Sequence, residues 1–386
     1  MKEGWEYKRF DELMTPAKVE RCGGREDIPV LSITMHGGIV KQKERFNKTI
    51  ASTDTSNYKV VKDGQLVIAF PIDEGLLYTQ DVAKEGIMSP AYNIWDVDYT
   101  KIDRKYLVSY FHSRFAFSYY KAKLRGSTQR RRSMDKADLL SMPIPVPSLD
   151  VQKHIVSELD LLNRTIEKQK AQLEELDKLA QSIFYDMFKG KEWEKKTLKA
   201  ITSKMGSGAT PRGGNQSYKA SGISLIRSLN VHNNEFLYDD LAFIDNEQAN
   251  QLNNVIIEKG DVLLNITGAS VARCCLVPDD VLPARVNQHV CIIRPISQIN
   301  NVFLCHFLIS KDTQIDLLNL SRNNAATREA LPKGLLEKFL VPLPPLSLQQ
   351  EFASKVEAIE SMKAKVRQSL KEAETLFNSR MDYYFN

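Results

Sequence analysis

No run of apolar residues in this 386-residue chain approaches the length of a membrane span, and the opening Met-Lys-Glu-Gly-Trp-Glu-Tyr lacks the apolar stretch of a signal peptide. A cytoplasmic protein with no membrane partner is the expectation. Cysteine is scarce: Cys22, Cys274, Cys275, Cys291 and Cys305 include no C-x-x-C spacing, which suits neither a zinc site nor a disulfide framework. Charge of one sign is not in large excess either. A net charge of +5 permits a nucleic-acid partner without demanding one.

The signatures of catalysis are also missing. There is no G-x-x-x-x-G-K-[ST] phosphate loop, and Met205-Gly206-Ser207-Gly208-Ala209-Thr210-Pro211 lacks the G-x-G-x-x-G spacing and meets a proline where a helix would begin. It reads as a flexible or ligand-contacting loop. The only Pro-Pro pair is Pro344-Pro345, so no [Asp/Asn]-Pro-Pro-[Tyr/Phe] motif exists to hold an amino group for methylation. His36, His112, His154, His232, His289 and His306 have no metal-ligand spacing, and no G-x-S-x-G elbow occurs. Glu194-Lys195-Lys196 lacks the upstream aspartate that a nuclease of the Asp…Glu-x-Lys type requires. The expectation is a chain with no catalytic, cofactor-binding or metal-ligating residues.

What the chain does have is itself, twice. At a constant offset of about 197 residues, Tyr106–Ser113 falls on Phe303–Ser310, Lys136 on Lys333, Leu139 on Leu336, Pro145–Leu149 on Pro342–Leu346 and Gln152 on Gln349. At a slightly smaller offset, Lys62–Ile68 matches Glu258–Leu264. Each copy opens on Trp-Glu and is long enough to bury its own core. Short apolar runs bounded by Gly, Pro, Asn and Asp predict strands at 28–33 and 65–70, then at 223–226, 255–257, 261–266 and 289–293. Helices are predicted at 104–124 and 302–318. Pro143, Pro145 and Pro147, and likewise Pro342, Pro344 and Pro345, forbid helix and predict extended elbows acting as stiff hinges.

After each elbow comes a heptad seam. In the first copy it is carried by Ile155, Leu159, Leu162, Ile166, Gln169, Leu173, Leu176, Ala180, Ile183 and Met187. In the second it is carried by Phe352, Val356, Ile359, Val366, Leu370, Ala373 and Phe377, with Lys363 and Arg380 as interruptions. Like units related by a twofold axis would pair these helices antiparallel. Roughly 38 helical residues at about 1.5 Å each would make a spacer of about 57 Å.

Local charge points to nucleic acid. Arg125, Ser127, Thr128, Gln129, Arg130 and Arg131 lie between the first predicted helix and its elbow, mixing charge for phosphates with forks that read base edges. The equivalent loop of the second copy carries Asn324 and Arg328. Lys41, Lys43 and Arg45 in the first copy, and Ser207, Thr210, Arg212, Arg227 and Asn230 in the second, are further candidates for DNA contact. A solvated basic loop is the bland alternative for each; the paired placement of the two loops favours function.

In the order of these parts the chain resembles the specificity (S) subunits of type I restriction-modification systems. The strings that carry the resemblance are Trp5-Glu6 and Trp193-Glu194, the elbows Ile144–Gln152 and Val341–Gln349, and Gly206–Pro211 early in the second copy. The resemblance implies an α+β fold of two similar mixed α/β target recognition domains, separated by two long helices that pair as an antiparallel coiled coil in a pseudo-twofold repeat. The domains would span residues 1–147 and 191–344, and the spacer helices 148–190 and 345–386. It further implies a non-catalytic subunit binding double-stranded DNA at a bipartite, asymmetric target, two methyltransferase (M) subunits, and restriction (R) subunits through M. S-adenosylmethionine would sit in M, and ATP with magnesium in R. The first copy departs from the pattern in having Met14-Thr15-Pro16-Ala17 without the glycines, and Lys363 and Arg380 would make the second helix less regular or face the M subunits. A self-contained DNA methyltransferase or nuclease, and a coiled-coil assembly protein without DNA contact, are the competing readings. Methyl transfer by the purified chain, or DNA affinity indifferent to the loop arginines, would distinguish them.

Overall fold

The computed structural model describes residues 4–25, 27–35, 37–45, 54–125, 133–323 and 329–386. The chain divides into two compact units, Met1–Lys170 with Gln368–Asn386, and Ala171–Arg367. These are not the segments of the sequence repeat, because the two 40-residue helices are shared. Leu149–Phe188 begins in the first unit and ends in the second, and Leu346–Phe385 does the reverse. Gly190, at φ 75°, ends the first of them in the left-handed conformation that terminates helices readily.

Each unit is built on the same four-stranded antiparallel sheet. In the first, the order is Met14–Pro16, Asn93–Val97, Leu66–Ile68, Leu77–Thr79. In the second it is Thr202–Ser207, Val290–Pro295, Val262–Asn265, Cys274–Leu276. The sheet is not all of either unit. The first adds the ribbon Leu31–Thr34 with Gly38–Lys41, and the second adds a mixed three-stranded sheet of Ile223–Ile226, Ala242–Ile244 and Ala284–Val286. The segment 255–257, expected as a strand, enters only as a single bridge between Ile256 and Arg285.

The expected single helix after the sheet is broken in both copies. It runs Arg104–Phe111 then Arg114–Lys123 in one, and Asn301–Ile309 then Lys311–Asn323 in the other. The break falls at Ser113 and Ser310, which are equivalent under the repeat. Ser113 is extended and its hydroxyl accepts from the Ala116 amide, which caps a new helix.

The elbows are strands, not hinges. Pro143–Val146 pairs antiparallel with Glu6–Arg9, and Leu340–Pro342 pairs with Lys195–Thr197. A two-stranded ribbon has only edges, so proline's missing N–H is tolerated there. Each long helix then starts on a buried glutamine. The Gln152 amide donates to the carbonyls of Pro147 (2.8 Å) and Lys101 (3.0 Å), and its oxygen accepts from the Asp103 amide (2.7 Å). Gln349 does the same with Pro344 (2.8 Å), Gln298 (3.5 Å) and Asn300 (2.8 Å). Asp103 and Asn300 are in turn the N-caps of the helices that follow the sheets.

Within each unit the two helix segments run antiparallel. In the first, Gln169 meets Ser369 while Glu158 meets Arg380 and Tyr384. In the second, Phe188 and Phe184 meet Phe352 while Asp177 meets Lys363. The seam holds as expected. Ile155, Leu159, Ile166, Phe352, Val356 and Ile359 are buried, and Leu162, Leu173, Leu176, Ile183, Val366 and Leu370 are half-buried. Near the end of the first helix the buried stripe steps one residue, to Phe184 and Phe188, which pack on Phe303 of the globule as well as on Phe352 of the partner helix. The ring centroids of Phe188 and Phe303 are 4.8 Å apart; those of Phe385 and Tyr106, at the equivalent position of the first unit, are 5.3 Å apart.

The two charged interruptions belong to the helix interface and do not reach outward for a partner. Lys363 is 2 % exposed, and its Nζ lies 2.7 Å from Asp177 and 2.9 Å from Glu360. Arg380 bonds Glu158, whose other partner is the Tyr384 hydroxyl at 2.5 Å. Because only the lysine is desolvated while Asp177 and Glu360 stay in contact with solvent and would not be left buried and unpaired, Lys363→Met is expected to leave the thermal midpoint unchanged or raise stability by about 1–2 kcal/mol. A clearly lowered midpoint in thermal denaturation would mean that the lysine is indispensable to the pairing.

Candidate nucleic-acid interface

In both units a cleft opens at the same place, where the hairpin of the four-stranded sheet faces the chain that leads to the elbow. The first, of about 340 Å³, is lined by Pro16, Ala17, Lys59, Phe70, Asn93, Trp95, Met134 and Lys136. The second, of about 560 Å³, is lined by Ser228, Thr267, Ser270, Arg273, His289 and Glu329. The parts correspond. Phe70 and Thr267 follow equivalent strands, Asn93 and His289 stand at the start of the next one, and Met134 and Glu329 lie just beyond the two polar loops.

The second cleft carries a chain of hydrogen-bonded side chains. The Thr210 hydroxyl donates to Gln288 Oε1 (2.6 Å), and Gln288 Nε2 lies 3.2 Å from His289 Nε2. His289 Nδ1 is 2.5 Å from Thr267 Oγ1. With the Gln288 amide oriented so that its Nε2 faces His289 Nε2, it donates there, and the histidine proton then sits on Nδ1 and is donated to Thr267. The relay leaves the Thr267 hydroxyl hydrogen free. Arg273 Nη1 lies 3.3 Å from the His232 ring, and among the described residues no carboxylate pairs with it. Asn287, buried behind the cleft, accepts from the His289 amide at 3.0 Å and fixes the turn.

The glycine-rich segment that leads to Thr210 is a strand end, not a flexible loop. Ser207 is half-buried and pairs with Cys291, and the Gly208 amide donates to the Asn287 carbonyl at 3.1 Å. A Cβ at Gly208 would stand 1.9 Å from the Val286 carbonyl oxygen, so no side chain fits. Gly208→Ala is expected to cost about 1–3 kcal/mol through forced backbone shifts. An unchanged denaturant midpoint would refute that close approach.

The first cleft is built of other material. Its floor is apolar, and Phe70 is 48 % exposed over it. Lys59 and Lys136 are its only charged lining residues among those described, and the Lys59 Nζ donates to the Tyr92 carbonyl at 2.6 Å. Burial and the neighbouring Arg21 push the Lys59 ammonium below the usual lysine range.

The sequence-predicted residues are only partly brought together. Ser127, Thr128, Gln129, Arg130, Arg131, Asn324 and Arg328 lie outside the described residues, as does the side chain of Arg45. Arg125 is exposed and paired with Asp135 at 2.8 Å. Lys41, paired with Glu44 at 3.1 Å, and Lys43 line a different cleft of the first unit. Thr210 reaches the second cleft through Gln288, Arg212 is exposed, and Arg227 lies over the Tyr218 ring at 5.3 Å while donating to the Asp240 carbonyl. Asn230 is corrected from a base reader to a brace. It is fully buried, its oxygen accepts from the Arg227 amide, and its amide donates to the carbonyls of Leu237 and Asp239. Phe70, Lys59, Arg273, Gln288, His289 and Thr267 were missed. Only superposing the two sheets exposes them, since none sits in a charged run.

Among the described residues no group of His, Cys, Asp and Glu could hold a metal ion, and no helix is long and apolar enough to cross a membrane. Comparison with protein families matches the type I restriction modification DNA specificity domain twice, over residues 3–178 and 190–374. The fold is similar to that of a chain from a structural study of complex assembly and conformational transition of the type I R-M system, with 16% identity, TM-score 0.61, and 100% of this chain and 98% of that one covered. It is also similar to the type I restriction-modification S subunit from M. genitalium, with 14% identity, TM-score 0.57, and 98% and 95% covered. A search of curated proteins finds no match.

Proposed function

The chain belongs to the type I restriction-modification DNA specificity family, and on that premise we propose that its two units each read one half of a split, non-palindromic DNA target. One observation carries this reading: the same sheet presents the same cleft twice, with unlike linings. Like frames hold two readers in comparable poses; unlike linings make the halves different. Basic side chains, Arg130 and Arg131 among them, would hold phosphates in register. The long helices would keep the half-sites about one duplex turn apart, roughly 34–36 Å. Two M subunits would dock on the helices, R subunits would join through M, and the assembly would work in the cytoplasm. S-adenosylmethionine would be bound by M, and ATP with magnesium by R, leaving this chain without a cofactor. Leu179 and Leu376, equivalent under the repeat and exposed on the two helices, suit two copies of one partner.

The test is methylome sequencing of a host expressing this chain with its methyltransferase partner. A bipartite, asymmetric motif is expected. A continuous palindrome, or methyl transfer from labelled S-adenosylmethionine by the purified chain alone, would overturn the proposal.

A further inference from the structure

Resting on that proposal, we infer that the two clefts read unlike base edges: the second takes the guanine edge, and the first takes the C5-methyl group of thymine. The second cleft presents donors. The relay from Thr210 through Gln288 and His289 ends on the Thr267 hydroxyl hydrogen, and Arg273 adds a guanidinium fork with no carboxylate partner among the described residues. Its one lining carboxylate, Glu329, is held by Arg322 at 3.0 Å. In the major groove guanine alone offers two adjacent acceptors, O6 and N7, to such a pair of donors.

The first cleft cannot do this. Among the described residues it has no arginine and no carboxylate, and the Lys59 ammonium is turned to the Tyr92 carbonyl. What it offers to a base edge is mainly carbon, from Ala17, Val19, Met134 and the exposed Phe70 ring, with the Asn93 amide beside them. The one apolar group in the major groove is the thymine methyl. Lys136 at the rim supplies the charge that a neighbouring phosphate requires.

Base analogues separate the two clefts. Duplexes carrying the methylome-defined target are titrated with the complex of this chain and its methyltransferase partner. Deoxyuridine for thymine in the half-site of the first unit removes only the methyl group and is expected to weaken binding about three- to tenfold. 7-Deazaguanine for guanine in the other half-site removes N7 and is expected to weaken binding about ten- to 100-fold. The same analogues in the opposite halves should change affinity less than about twofold against those losses. Phe70→Ala should abolish the thymine-over-uracil preference, and Arg273→Met, which keeps the stem but no donor, the guanine-over-7-deazaguanine preference. Tight binding that ignores both analogues would overturn this assignment while sparing the proposed function, and would return the donors of the second cleft to phosphate contact. A complex that binds no DNA would overturn both.

Discussion

Phe188→Ala is expected to lower the stability of the second unit by about 3–5 kcal/mol, and Phe385→Ala to do the same to the first. Both rings are buried, at 6 % and 4 % exposure, and each caps a cluster that joins helix to globule. Phe188 touches Phe184, Phe303 and Phe352; Phe385 touches Tyr106, Tyr110 and Tyr384. Truncation removes a whole ring from the contact and leaves a cavity walled by aromatic groups that cannot collapse into it. Hydrogen exchange read by mass spectrometry resolves the effect. Phe188→Ala should lose protection in Asn301–Ile309 and Phe385→Ala in Arg104–Phe111. Equal loss in both helices from either variant, or a loss below about 1 kcal/mol, would contradict the idea that each ring secures one globule.

Gln152→Leu is expected to cost about 3–5 kcal/mol, because it strands two carbonyls and one amide N–H in an apolar surround at about 1–3 kcal/mol each. Gln349→Leu strands the equivalent three groups, but its bond to the Gln298 carbonyl is 3.5 Å long where the Gln152 counterpart is 3.0 Å. The second variant should therefore be the milder. Chemical denaturation gives the sizes, and exchange at the Asp103 and Asn300 amides gives the place. If the leucine variants matched the parent, the glutamines would be packing residues only.

The repeat, the elbows and the seam were legible in the sequence because each is a matter of local spacing. Ile155 to Ala180 could be counted off in threes and fours without knowing what they face. The pairing of Glu6–Arg9 with Pro143–Val146 was not legible, since strand partners distant in sequence leave no periodic trace. Lys363 and Arg380 looked like interruptions because their acids, Asp177 and Glu158, sit on the other helix. The site was read least well. Charge runs drew attention to 125–131 and to Lys41 and Lys43, whereas the clefts are assembled from a few residues of each of four or five separate segments. Phe70 and His289 become conspicuous only when the two sheets are laid on each other.

The aromatic locks and the buried glutamines repeat between the copies at a constant offset, and the ribbons of the elbows repeat with the same pairing, while the cleft linings share almost nothing. One set of residues thus fixes how the molecule is put together and another fixes what it reads, with little overlap between them. On the proposed reading, changes at Phe70 or Arg273 would alter the recognition of one half-site without disturbing Gln152, Phe188 or Lys363. A mixture of old and new halves is therefore a foldable molecule, and targets can diversify combinatorially, one side at a time.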